Sequence, residues 1–161
     1  MKLMRAGLVL AVLFGGWSFS PAPAEADERA CPAQKFTVGD GWGADRGRRS
    51  HAGIDLHARR GTPLLAVESG RVNRTKVQDN GAIQLVLDGA SGSQYYYGHM
   101  DSVLVEAGQR VKAGQVVALM GDTGSPGQVH LHFEYWKSGR DSDAINPERF
   151  IERICGIEID D

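Results

Sequence analysis

Five histidines occur in the 161 residues, and four of them, His51, His99, His130 and His132, stand in settings that suggest chemistry. The tightest setting is His130-Leu131-His132. On a strand, positions i and i+2 point to one face, so both imidazoles project together while Leu131 packs on the other side. One of the pair can bind a metal while its neighbour reaches the metal's water. His51-Ala52-Gly53-Ile54-Asp55 adds another imidazole and a carboxylate. Metal bonds near ~2.0–2.2 Å keep two ligand backbones within roughly 10–11 Å, whereas four extended steps span about 13 Å, so this segment must bend. Gly53 permits the bend, and with the β-branched Ile54 it disfavours a helix. Two neutral imidazoles and one carboxylate leave a fourth tetrahedral position for water, the pattern of catalytic rather than structural zinc. His99 follows Tyr95-Tyr96-Tyr97-Gly98 at the end of an expected strand. It would complement His130, one imidazole taking a proton from the water and the other stabilising the developing oxyanion. His57 has no such setting and is read as surface or as backing for the site.

Positioning these side chains falls to short strands. Apolar segments of four to seven residues recur at Pro63–Val67, Arg71–Val77, Ala82–Leu87, Gln94–His99, Val116–Met120 and Leu131–Trp136. Glu68-Ser69-Gly70, Asp79-Asn80-Gly81, Asp88-Gly89-Ala90-Ser91-Gly92, Gly108 and Gly114 punctuate them. Glycine, at 21 residues, is about twice its usual share, which favours many turns over long helices. The expected fold is a mainly β, antiparallel, sandwich-like or barrel-like single domain. A short C-terminal helix should run over Pro147–Ile154, with Asn146 as its N-cap and Pro147 at its first position. Residues 27–45 read as an irregular lead-in, 46–155 as the domain and 156–161 as a tail.

Eighteen Lys and Arg against twenty Asp and Glu give a net charge of −2, which argues against nucleic acid as a partner. Lys2 and Arg5 precede an apolar run from Gly7 to Gly16, followed by small residues around Ala22–Ala26. This is the pattern of a secretory signal over residues 1–26, cleaved after Ala26 or Ala24. The run is far short of the ~20 apolar residues of a membrane-spanning helix. Export to the periplasm or the extracellular space follows, with no transmembrane helix in the mature chain. Cys31 lacks the preceding lipoprotein box, so a lipid anchor is disfavoured. Cys31 and Cys155 lie near the two ends of the mature chain, and an oxidising compartment would join them in a disulfide.

Taken together, His51-x-x-x-Asp55, Tyr97-Gly98-His99 and His130-Leu131-His132-Phe133-Glu134 resemble the lysostaphin-type zinc endopeptidases, which cut bacterial cell-wall peptides. Gly53-Ile54-Asp55-Leu56, Gly61-Thr62-Pro63, Ala66-Val67-Glu68-Ser69-Gly70, Gly121-Asp122-Thr123-Gly124 and Asn146-Pro147 follow in the family's order, so the resemblance runs from about Gly41 to Phe150. It implies that His51, Asp55 and His132 are Zn2+ ligands, that His99 and His130 are catalytic, and that an antiparallel sheet lines a groove. It also implies peptidoglycan stems or cross-links as the substrate, either glycine bridges or direct cross-links with D-amino acids. A monomer is expected.

The alternative within the same fold is a non-hydrolytic wall-binding or amidase-activator module, although no position of the catalytic set is substituted. A lipoyl-type carrier would need a lysine near Met120–Thr123, where none occurs, and Gly121–Ser125 lacks a Gly-x-Ser-x-Gly elbow. Gly121, Thr123 and Gly124 shape either a loop beside the groove or a plain turn. Arg46, Arg48, Arg49, Arg59 and Arg60 read as a solvated rim whose guanidinium groups could pair with substrate carboxylates.

Overall fold

The computed structural model describes residues 28–137 and 143–159, so the export segment lies outside the described residues. Two antiparallel sheets form the body. The larger has the strand order β1 (Thr37–Val38), β2 (Ile54–His57), β10 (His130–Trp136), β6 (Gln94–Gly98), β5 (Ile83–Gly89), β4 (Gly70–Val77) and β8 (Arg110–Val111), with β11 (Ala144–Ile145) also paired to β10. The smaller is β3 (Pro63–Leu65), β9 (Val116–Met120) and β7 (Met100–Val103). The helix α1 spans Glu148–Cys155. No helix among the described residues is long and apolar enough to cross a membrane.

The central strands are two-faced, and their alternation sets the architecture. Ile54 and Leu56, Leu85 and Leu87, Tyr95 and Tyr97, and Leu131 and Phe133 are all fully buried on one face of the large sheet, where they share a core with Leu64, Met100 and Met120 of the small one. Asp55, Gln84, Tyr96, His132 and Glu134 occupy the intervening positions and therefore face the other way. Tyr97 ties the two layers together by more than contact: its hydroxyl donates to the Leu65 carbonyl and accepts from the Val67 N–H, each at 3.0 Å. Glu68, also buried, is satisfied by the Ser91 N–H and hydroxyl at 2.6 and 3.0 Å and by the Tyr95 hydroxyl at 2.5 Å.

Three local readings change. The strand expected to reach His99 stops at Gly98, because His99 adopts a left-handed backbone with φ of 63° that turns the chain into β7. The helix begins one residue later than expected: Pro147 occupies the N-cap, and Asn146 accepts the Glu148 N–H at 2.8 Å from one position further out. The lead-in contains β1, whose Thr37 and Val38 pair with His57 and Leu56. Its start is joined to the end of α1 by a disulfide between Cys31 and Cys155, 124 positions apart.

Tyr97→Phe leaves the buried Val67 N–H and Leu65 carbonyl without that partner, so unfolding in urea should show a loss of about 1–3 kcal/mol; an unchanged midpoint would count against the link. Reducing Cys31–Cys155 should lower stability by about 2–4 kcal/mol in the same measurement, and equal midpoints with and without reductant would contradict this.

Candidate metal centre and flanking histidines

The pairing of β2 with β10 sets Asp55 directly opposite His132 and His57 opposite His130. On its other side, β10 sets His132 opposite Gly98, the residue before His99. His51 arrives from the loop before β2, through Gly53. A Cβ at Gly53 would come within 2.4 Å of the Phe133 carbonyl oxygen and 2.9 Å of the His132 ring. The glycine is thus required by close packing against β10.

Three ligand atoms converge: His51 Nε2 and His132 Nδ1 are 2.8 Å apart, Asp55 Oδ1 is 2.9 Å from His132 Nδ1, and His51 Nε2 is 3.1 Å from Asp55 Oδ1. The far side of each group is occupied. His51 Nδ1 donates to the Gly41 carbonyl at 2.7 Å, His132 Nε2 donates to Glu134 at 2.9 Å, and Asp55 Oδ2 accepts from Arg46 at 2.5 Å. With a ring proton committed outward on each, the inward ring nitrogens turn lone pairs towards each other and towards a carboxylate. Three acceptors this close repel unless a proton or a metal ion lies among them. Tetrahedral ligands on bonds of about 2.0–2.1 Å would sit about 3.4 Å apart, so small side-chain shifts would admit a divalent ion.

Burial alone would push the Asp55 carboxyl up, but the neighbouring His132, His51 and Arg46 side chains hold it far below the usual carboxylate range. Burial likewise opposes protonation of His132, yet Asp55 and Glu134 together raise its pKa.

His99 and His130 flank this cluster, their rings 4.5 Å apart, with His130 Nε2 at 3.8 Å from Asp55 Oδ1. Each is pinned by its Nδ1, His99 to the Thr123 carbonyl and His130 to the Gln128 carbonyl, both at 2.7 Å. Burial, the largest influence on each, lowers both pKa values below the ordinary histidine range. Both are therefore neutral at neutral pH, with an unprotonated Nε2 available to accept a proton. The positive φ of His99 is a strained choice for a residue other than glycine, of the kind that collects at functional sites. His57 sits behind them, its ring 5.4 Å from that of His130.

Several supporting groups carry weak sequence signals. The Thr123 backbone anchors His99, while its hydroxyl donates to the Met100 carbonyl at 2.7 Å and accepts from the Ile83 N–H at 3.0 Å, so the Gly121–Gly124 turn does more than border the site. Glu134 could have been found from its i+2 spacing to His132. Two arginines read as a solvated rim are engaged elsewhere: Arg46 pairs with Asp55 and Asp40, and Arg60 with Asp101 and Asp122.

The sequence matches Peptidase family M23 over residues 49–147. It is 35% identical over 98 residues to peptidoglycan DD-endopeptidase ShyB of Vibrio cholerae, covering 61% of this chain and 23% of that protein. It is also 33% identical over 101 residues to murein hydrolase activator EnvC of Escherichia coli, covering 63% and 23%. The chain thus spans about a quarter of the length of either relative. Lysostaphin of Staphylococcus simulans superposes with a TM-score of 0.70 at 28% identity, over 79% of this chain and 55% of that one. Its isolated catalytic domain gives 0.65 at 30% identity, over 73% and 92%. With more than half of its residues inside the family match, and with lysostaphin's fold around them, the chain belongs to peptidase family M23.

Proposed function

We propose that this protein is an exported zinc metalloendopeptidase that hydrolyses peptide cross-links of bacterial peptidoglycan, working in the periplasm or outside the cell. The observation that carries this reading is the convergence of three outward-anchored acceptors, His51, Asp55 and His132, beside two neutral histidines on the same sheet face. The relatives named as a peptidoglycan endopeptidase and as lysostaphin support the same chemistry.

When bound, zinc supplies Lewis acidity towards a carbonyl and a water acidified towards neutral pH. Gly41, Glu134 and Arg46 fix the orientation of the three ligands by bonding their far atoms, a support that holds a site to one geometry. His99 and His130 each offer Nε2 as proton acceptor. Once protonated, the same nitrogen donates to an oxyanion or to the departing amine. Their backbone anchors at Thr123 and Gln128 keep both rings aimed without help from substrate.

Incubated with purified sacculi, the zinc-loaded protein should release free amines at cross-links; a chelator should abolish the release and added zinc restore it. Tight wall binding without amine release would instead favour the activator reading, the role that EnvC's name carries. For His132→Ala, metal analysis should find lost zinc occupancy. His99→Ala should retain zinc while its rate falls by at least about 100-fold, the low end of the contribution of a positioned acid or base. Equal zinc loss in both variants would overturn the division of roles.

A further inference from the structure

The three groups of the cluster are not braced alike. His132 gives its far nitrogen directly to the Glu134 carboxylate and Asp55 is met by Arg46, but His51 Nδ1 ends on a neutral backbone oxygen, that of Gly41, at 2.7 Å. That oxygen and the Trp42 N–H belong to one peptide group, and the Trp42 N–H donates to Glu148 Oε1 at 2.9 Å. A single planar, rigid unit is therefore held between an imidazole at its carbonyl end and a carboxylate at its N–H end.

Neighbouring groups fix the carboxylate to that unit. Glu148 is the first residue of α1; its other oxygen accepts from the Asn146 amide at 2.9 Å, and its own N–H donates to Asn146 Oδ1 at 2.8 Å. A Cβ at Gly41 would come within 2.4 Å of Glu148 Oε1, so any side chain there would push the carboxylate off the peptide. On the opposite flank the lead-in runs against the ligand segment. The Gly39 N–H donates to the Asp55 carbonyl at 2.8 Å, the Asp55 N–H to the Asp40 carbonyl at 2.9 Å and the Gly43 N–H to the His51 carbonyl at 2.9 Å.

Hydrogen bonds in a chain polarise one another, so a negative charge accepting at the N–H end makes the carbonyl at the other end a stronger acceptor. A stronger acceptor keeps the His51 proton on Nδ1, which aims Nε2 inward and makes it the better donor to a metal ion. The Ala44 N–H also approaches the Gly41 oxygen, but at 3.4 Å it is the weaker of the two bonds. Resting on the metallopeptidase reading, we propose that Glu148 is a positioning residue for His51, acting through the Gly41–Trp42 peptide group. Both imidazoles of the cluster then end on a carboxylate, His132 directly and His51 at one remove.

Zinc affinity of the full chain, read by competition with a chromophoric chelator, should fall at least about threefold in Glu148→Ala, short of the roughly 10–100-fold that follows loss of a direct partner. Glu148→Gln keeps an oxygen for the Trp42 N–H but no charge. In the zinc-loaded protein it should move the His51 Nδ1 proton resonance upfield and leave that of the His132 Nε2 proton in place. Arg149→Ala, a change at an exposed side chain of the same helix, should alter neither quantity. Equal zinc affinity in the wild type and Glu148→Ala, or an unmoved His51 proton in Glu148→Gln, would overturn the proposal. So would the same losses in Arg149→Ala, since helix stability alone would then explain them. Should Glu148→Ala not fold, Glu148→Gln decides on both measurements. Should the wild-type chain take up no zinc, the metallopeptidase reading fails, and the His51 proton of the metal-free protein decides the link by itself. An upfield shift in Glu148→Gln sustains it, and no shift overturns it.

Discussion

The pairing of Ile54–His57 with His130–Trp136 is the constraint on which the rest of the site depends. It places Asp55 across from His132 and, at the same time, buries Leu56 and Leu131 on the far face. Because side chains alternate with a period of two, a slip of one residue would drive the carboxylate and the imidazoles into the apolar core and expose leucines. The same hydrophobic burial that holds the two sheets together therefore holds Asp55 and His132, two of the three groups that could hold a metal ion, in register. His51, the one member of the cluster from outside the strands, is aimed by the carbonyl of Gly41.

That arrangement separates rigidity from chemistry. The core side of the large sheet, with Tyr97 bonded across to the small sheet, supplies a stiff floor. The site side carries polar groups that are each bonded once outward and left with one atom facing inward. Such half-satisfied groups are tolerated because their inward atoms are the ones a metal ion, a proton or a substrate would meet. Electrostatics follows the same division: burial keeps His99 and His130 neutral, while the carboxylates beside His132 raise its pKa against the opposing effect of burial.

The amino-acid sequence discloses some of this and hides the rest for definable reasons. The longer strands were legible because apolar residues recur between glycine-rich turns, and Val116–Met120 matches the expected bounds. The strand Ile54–His57 was hidden: four residues, two of them polar, make no apolar run, and its identity as a strand comes from its neighbours β1 and β10. The two-residue strands β1, β8 and β11 exist only as pairings and carry no periodicity of their own. His130 and His132 could be put on one face from spacing alone. The groups that aim the imidazoles could not, since Gly41, Thr123 and Gln128 act through backbone carbonyls, whose partners no residue type reveals. Arg46 is exposed at the rim as its sequence setting suggests, but its contact with Asp55 is not legible there because it arises only when the loop before β2 folds back.

Covalent connectivity adds one more property. The bond between Cys31 and Cys155 closes a ring of backbone that contains His51, Asp55, His99, His130 and His132. A single protease nick in any exposed turn inside that ring, such as the one at Gly92, would open the loop yet leave both fragments in one molecule, and only a second cut could excise a piece of it.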